Sequence, residues 1–312
     1  MQKRFLITES VPEFFSDGLI KFGFELDINT QISQVEIEET ISQYDGLFIR
    51  GRIKADTKLL ARAAKLKYIL RPGSGLDIID IAKAAEQKII LINSPEGNRD
   101  AVAEHAIGML LSLLNHIPQS FDDLKNNKWS RVESAGSELM SKTIGIIGFG
   151  NTGAAFAKKL SGFDVRILAY DKFISGFGND LITEVGLNQM YAEADIVSFH
   201  IPLTSENTFL VDHKYLESFK KDIYLINTSR GKILKSTDLI EAITKGKIKG
   251  ACLDVLENEN LPTYSAEEKS LLNKLISTGK VIITPHIAGK TKESEEKIHL
   301  YLLHKLHEIL SY

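Results

Sequence analysis

Cysteine is almost absent from this chain. The single one, Cys252, excludes an intramolecular disulfide framework and suits a reducing compartment. It lies in an apolar strand pattern and reads as a small buried residue, not a nucleophile. Long apolar runs are missing as well. No segment approaches the ~18 consecutive apolar residues of a membrane span. The opening Met-Gln-Lys-Arg-Phe-Leu-Ile-Thr-Glu has too short an apolar stretch for a signal peptide. Neither sign of charge dominates, with 38 Lys+Arg against 41 Asp+Glu and a net charge of −3, so nothing points to nucleic acid or an anionic membrane as partner. A cytoplasmic location is expected. No His, Cys and carboxylate cluster suggests a metal site, and neither low-complexity tracts nor sustained repeats occur.

What remains is an ordinary globular composition on a chain of 312 residues, long enough for two domains that each bury a core. Apolar runs alternate with helical patterns throughout, which indicates parallel α/β sheets. Strands are expected at 4–8, 24–27, 46–49, 67–70 and 89–92, then at 144–147, 165–170, 195–200, 222–227, 248–254 and 281–284. Helices are expected at 11–22 and 56–64. The strongest helix, 101–114, is apolar on most faces and is expected to be buried between domains or subunits. Residues 121–129 read as a polar helix end and loop, 258–270 as a long polar loop and 293–310 as a closing helix.

The chain is organised around 143–171. Ile144–Ile147 is an apolar run of the kind that makes a buried parallel strand, and Gly148, Gly150 and Gly153 follow as Gly-x-Gly-x-x-Gly before a helical stretch. The first glycine permits a tight turn, the second lets a pyrophosphate approach the backbone, and the third lets helix pack on strand. The helix start then offers free N–H groups and a partial positive charge to phosphates. A second strand ends at Asp171, eighteen positions after Gly153. Its carboxylate suits an adenosine ribose and would repel a 2′-phosphate. NAD is therefore favoured over NADP, with Lys172 beside the acid as the feature on the other side.

Further motifs follow in order: Asn227-Thr228-Ser229-Arg230-Gly231, Leu253-Asp254-Val255 with Glu259, and Thr284-Pro285-His286-Ile287-Ala288-Gly289. Together with the glycine turn, this series resembles the D-isomer-specific 2-hydroxyacid dehydrogenases from about Arg50 to Gly289. The resemblance implies an α/β protein of two domains. A Rossmann-type doubly wound parallel sheet at 98–284 would take the cofactor. A flavodoxin-like α/β substrate domain would form from 1–97 plus 285–312, with the active site in the cleft. It places catalysis on Arg230, Glu259 and His286. Cofactor contacts fall on Gly148, Gly150, Asn151, Thr152, Gly153, Asp171, His200, Pro202, Thr228, Ser229, Asp254 and Val102.

The chemistry suits those residue types independently. Oxidising a 2-hydroxy acid removes a hydroxyl proton while hydride leaves the same carbon. A histidine takes and returns such a proton. A neighbouring glutamate orients the ring and favours the imidazolium, while an arginine offers a planar fork to the substrate carboxylate. Glu257 rivals Glu259, and the family's usual proline after the acid is replaced by Asn260.

Substrate contacts are expected from Ser74 and Gly75, on a glycine-rich loop, and from Arg50-Gly51-Arg52. Two arginines spaced i, i+2 after a strand would converge on a dianionic group if the loop turns, with Arg99 and Lys54 adding charge. This resembles the branch of the family that oxidises 3-phospho-D-glycerate to 3-phosphohydroxypyruvate at the start of serine synthesis. Reduction of glyoxylate, hydroxypyruvate or a lactate-type acid is the alternative, and an NADH-sensing protein like the family's corepressors is a third reading. With Tyr312 as the last residue, neither the serine-sensing domain of longer members nor inhibition by serine is expected. The resemblance also implies a homodimer through the cofactor domain, consistent with Trp129 looking exposed.

Overall fold

The structure, a computed structural model, describes residues 2–311. The chain divides into two compact units, residues 1–98 with 290–312 and residues 99–289.

In the first unit five parallel strands, β1 (Lys3–Ile7), β2 (Phe24–Ile28), β3 (Gly46–Phe48), β4 (Tyr68–Arg71) and β5 (Ile90–Asn93), lie in the order β2-β1-β3-β4-β5. This is the flavodoxin-like order, and parallel sheets of this kind bind ligands beyond their strand C-termini. Helices Gln34–Thr40, Thr57–Arg62 and Ile81–Glu86 bury one face of the sheet with Leu6, Leu47 and Ile69. On the other, Phe5, Phe15, Phe48 and Leu70 pack with Ile298, Leu302 and Leu306 of the helix Lys292–Leu310. The helix Glu13–Lys21 starts after Pro12, which stands at its N-cap.

The second unit holds β6 (Thr143–Ile147), β7 (Arg166–Tyr170), β8 (Ile182–Glu184), β9 (Ile196–Phe199), β10 (Ile223–Asn227), β11 (Ile248–Leu253) and β12 (Val281–Ile283). All pair in parallel, in the order β12-β11-β10-β9-β6-β7-β8. Strand order reverses at β6 and β9, the topological switch point where dinucleotides bind in Rossmann sheets. The five residues of β6 are all buried, as its uninterrupted apolar run requires.

Four local expectations change. The long helix runs Pro95–Leu114 and so starts six residues before the apolar stretch at 101. Pro95 is tolerated in a first turn. Gly97 in this first part of the helix is required, because a Cβ there would lie 2.6 Å from Ile298 Cα. Ile117–Lys125 is a complete helix. The expected loop 258–270 gives way at Ala266 to the helix Ala266–Ser277, where Ser265 and Glu268 form a reciprocal capping box. Finally, Pro285–Gly289 belong to the second unit, not the first. The Asp254 carboxylate holds the backbone N–H groups of Ile287 and Ala288 there, at 2.9 and 2.8 Å. Among the described residues no helix is long and apolar enough to cross a membrane.

Candidate active site

The glycine turn after β6 is dictated by contact distances. Gly148 has φ +93°, and a Cβ on it would meet the His200 carbonyl oxygen at 2.4 Å. A Cβ on Gly153 would lie 2.1 Å from the Gly148 carbonyl oxygen. Gly150 differs, since nothing lies within 4 Å of its missing side chain. Backbone at Gly150 is therefore open to an incoming group, and it caps the helix Asn151–Lys159. The first-turn residues Asn151 and Thr152 carry N–H groups that have no acceptor within the helix. This is the geometry a pyrophosphate requires.

Asp171 follows β7. Its Oδ2 accepts from Phe149 N at 2.7 Å, and its Oδ1 from Phe173 N and Ile174 N at 2.8 and 3.0 Å. Partial burial would raise its pKa, but the N–H groups of Phe173, Phe149 and Ile174 outweigh that and leave it below the ordinary value. The carboxylate is thus fixed and ionised at the rim of a cavity of about 470 Å³ lined by Tyr170 to Ser175 and Glu184 to Gly186. A carboxylate keeps acceptor capacity after three hydrogen bonds, so it still suits a ribose hydroxyl. Lys172 pairs with Glu206 at 2.5 Å, which compensates the one cation that argued for a 2′-phosphate. These residues fit NAD.

Adjacent strands β9 and β10 carry the next expected contacts. His200 donates its backbone N–H to the Ile147 carbonyl at 2.8 Å and shares 2.8 Å with Ser198 Oγ through Nε2. Burial pushes its pKa down to about 3, so the ring is neutral, and its Nδ1 is buried with no hydrogen-bond partner among the described residues. Thr228 Oγ1 is buried and unpartnered in the same sense. Buried polar atoms of this kind are costly and mark places where a further partner fits. Pro202 is exposed and Val102 buried. Asn227 organises the loop after β10, since its Oδ1 accepts from Ser229 N and Ser229 Oγ and its Nδ2 donates to the Arg230 carbonyl. Arg230 Nη1 donates to the Ser229 carbonyl at 2.7 Å. Gly231 passes so near the next loop that a Cβ would lie 1.8 Å from the Leu256 carbonyl oxygen.

His286 and Glu259 meet directly, Nδ1 to Oε2 at 2.7 Å, with both side chains a little under half exposed. Glu257 does something else. Its Oε1 accepts from Ser236 N at 2.6 Å, at the start of the helix Ser236–Thr244. Asn260 supplies an N–H to Asn258 Oδ1 at 3.0 Å, a bond that a proline could not donate, and Tyr264 OH donates to the Asn258 carbonyl at 2.5 Å. The loop bearing Glu259 is thus pinned by hydrogen bonds instead of a ring.

Below His286 lies a network that sequence spacing does not reveal. Asp254 is 1% exposed. Its Oδ1 accepts from Thr284 Oγ1 at 2.5 Å and Ile287 N at 2.9 Å, and its Oδ2 from Ala288 N at 2.8 Å. His105 reaches Thr284 Oγ1 at 3.0 Å and stands 3.7 Å from Asp254 Oδ1. His286 itself sits at φ +54°, an uncommon conformation for a non-glycine residue, and its N–H donates to the Asp254 carbonyl at 2.8 Å.

In the first unit the expected arginine pair does not converge. Arg50 forms two parallel bonds to Glu295, 3.1 and 2.7 Å. Arg52 donates to the carbonyls of Thr8 at 2.7 Å, Thr30 at 2.9 Å and Ile32, with Glu9 at 3.8 Å. It ties the chain beyond β1 and β2 to the loop after β3, because buried or half-buried carbonyls need donors. Gly51, between the two arginines, is exposed, with nothing within 4 Å of its missing side chain. Arg99 pairs with Asp100 at 3.9 Å, while Lys54 accompanies Gln34, whose Oε1 accepts from its backbone N–H. Ser74 and Gly75 follow β4, where Ser74 Oγ meets Asn98 Oδ1 at 3.2 Å and Asn93 Nδ2 donates to the Ser74 carbonyl.

Residues 107–288 match the family model described as D-isomer specific 2-hydroxyacid dehydrogenase, NAD binding domain. The chain belongs to the D-isomer-specific 2-hydroxyacid dehydrogenase family. Its cofactor is NAD, in keeping with that domain and with Asp171. D-3-phosphoglycerate dehydrogenase of Synechocystis sp. is 34% identical over 98% of this chain and 54% of its own length. Hydroxypyruvate reductase of Thermotoga maritima is 34% identical over 90% of each. The D-lactate dehydrogenase of Aquifex aeolicus, solved with NAD and lactic acid, superposes with a TM-score of 0.84 at 26% identity, covering 99% of this chain and 96% of that one. The chain spans about half the length of the D-3-phosphoglycerate dehydrogenases it matches.

Proposed function

We propose that this protein interconverts a D-2-hydroxy acid and its 2-keto acid with NAD. The pairing of His286 with Glu259 carries the reading. Glu259 takes Nδ1 and leaves Nε2 as the nitrogen that exchanges the substrate's hydroxyl proton. A carboxylate at that distance fixes the ring and stabilises the imidazolium that forms on oxidation. Asp254, from below, holds the backbone turn that presents the ring. Arg230 offers its planar guanidinium to the substrate carboxylate and polarises the carbonyl formed at C2. In the first unit, Ser74 and Gly75 follow β4 at the ligand-binding edge of its parallel sheet, where their backbone N–H groups would suit a substrate carboxylate. Gly148 to Gly153 would hold the pyrophosphate and Asp171 the ribose, and bound NAD supplies the hydride acceptor.

For the substrate we propose 3-phospho-D-glycerate, a reading supported by several relatives of that name at 31–34% identity. A second reading, hydroxypyruvate reduction, is favoured by one observation: both arginines meant for a phosphate already have partners. Steady-state NADH oxidation with 3-phosphohydroxypyruvate, hydroxypyruvate, glyoxylate and pyruvate tests both. A kcat/KM at least ~100-fold higher with the phosphorylated acid, about 2.7 kcal/mol, supports the first reading. Equal values or a preference for hydroxypyruvate would replace it with the second, and no turnover with any of the four would overturn the enzymatic reading.

A homodimer is also proposed. Ile117, Phe121 and Leu124 are half exposed or more on one face of their helix, and Trp129 and Val132 just beyond are more than 80% exposed. Apolar rows of this extent on a surface mark contacts. Light scattering should give twice the chain mass, and Phe121→Glu with Trp129→Glu should give the monomer.

A further inference from the structure

The proposed function leaves one charged contact of the first unit unexplained. Arg50 stands two residues beyond β3, at the ligand-binding edge of a parallel sheet, next to the Ser74 loop that follows the adjacent β4. Its guanidinium presents its fork to Glu295, with Nη1 and Nη2 on separate carboxylate oxygens at 3.1 and 2.7 Å. This is the geometry in which arginine receives a carboxylate or phosphate from a ligand. Both ends are held in place. Phe48, the last residue of β3, stacks on the His299 ring at 5.7 Å and 17°, and His299 Nδ1 donates to the Glu295 carbonyl at 2.7 Å. Phe15 packs edge-on against the same ring at 4.9 Å. Arg50 and Glu295 therefore meet because the sheet and the helix Lys292–Leu310 are locked together beneath them. Yet the two side chains remain 37% and 35% exposed, so the pair is within reach of solvent and of a solute anion.

We propose that Glu295 is a specificity-determining residue that competes with the substrate's distal group for Arg50. The inference rests on the reading that this sheet edge receives the substrate. A neutral hydroxymethyl tail leaves the Arg50–Glu295 pair closed and meets no net charge there. A phosphate tail carries close to two negative charges, and it reaches the guanidinium only by displacing Glu295 or lying beside it. Either way the carboxylate opposes it. Glu295 thus lowers the advantage that Arg50 gives to a phosphorylated acid, and its charge sets how much advantage remains.

The test is the ratio of kcat/KM for 3-phosphohydroxypyruvate to that for hydroxypyruvate, measured with NADH for the native protein, Glu295→Gln, Arg50→Ala and the double variant. We expect Glu295→Gln to raise the ratio at least tenfold and Arg50→Ala in that background to abolish the gain. A Glu295 that only staples the helix to the sheet would lower the melting temperature and leave the ratio unchanged, which would overturn the proposal. Glu295→Met, similar in length and uncharged, replaces the Gln variant if that one does not fold. Should the native protein turn over neither keto acid, the enzymatic reading fails and calorimetry with 3-phosphoglycerate decides this inference alone. Tenfold tighter binding to Glu295→Gln upholds it, and equal binding to the two proteins sinks it.

Discussion

Replacing Asp254 by asparagine changes one oxygen to an NH₂ group at nearly constant volume, and the consequences follow from three donors. Thr284 Oγ1 and Ile287 N point at Oδ1, while Ala288 N points at Oδ2. The threonine hydroxyl can rotate to accept instead of donate, but a backbone N–H has no such choice. Whichever way the asparagine amide is turned, one of the two N–H groups faces another donor at about hydrogen-bond distance. An unsatisfied buried group costs about 1–3 kcal/mol, and the remaining bonds lose the strength that the carboxylate's charge gave them. A total near ~2–4 kcal/mol follows. For a domain of roughly 150–250 residues each kcal/mol moves Tm by ~2–4 °C, so a drop of ~4–16 °C is expected in thermal unfolding followed by circular dichroism. The same turn holds His286 at φ +54°, a conformation that L-residues keep only when their surroundings impose it. Loosening the turn should therefore also lower kcat by ~10-fold or more, because the imidazole spends less time in position. A variant with Tm within 1 °C and kcat within twofold of native would refute the argument that Asp254 holds the histidine turn.

Gly150→Ala should fold with unchanged Tm, since its Cβ enters open space, yet weaken NADH binding at least ~10-fold by fluorescence titration, because that space is where the pyrophosphate must approach. Gly153→Ala should instead lower Tm by several degrees without NADH present, since its Cβ collides with the Gly148 carbonyl. Glu259→Gln should reduce kcat by about 10²-fold or more, within the range for general acid–base residues, while leaving the KM for NADH within about twofold. Acid should destabilise the fold through His200. Its folded pKa of about 3 lies below the reference 6.5, so the unfolded chain binds the extra proton. The contribution is full above pH ~6.5 and falls by up to about 1.4 kcal/mol per pH unit down to pH ~3. His200→Gln should flatten that part of the denaturation profile measured by urea unfolding.

Much of this molecule is legible in its sequence because the signals are local. The apolar run 144–147, three glycines and a terminal acid lie within thirty residues, and each glycine has one short contact or one open approach that explains it. Strand order follows too, since right-handed crossovers and alternating βα units leave few topologies. Register from Asp254 favours Glu259 over Glu257, and the fold adds what the rival does, since Glu257 accepts the Ser236 N–H while Glu259 meets His286. The polarity of 258–270 predicts a loop, yet Ser265 and Glu268, three positions apart, form the capping box that starts the helix Ala266–Ser277 within it.

What sequence spacing hides is partnership across distance. His105 and Thr284 are 179 positions apart and Arg50 and Glu295 are 245 apart, and no periodicity links such pairs. The arginines show the cost of reading charge without its partner. Arg50-Gly51-Arg52 looked like a receptor for a dianion because two cations follow one strand. In the folded chain Arg52 satisfies three backbone carbonyls and Arg50 faces a carboxylate delivered by the last helix. A cation's residue type says what it can bind, and only the fold says whether that capacity is already committed. That is why the family follows from ordered motifs, whereas the proposed choice of substrate rests on an ion pair that no motif announces.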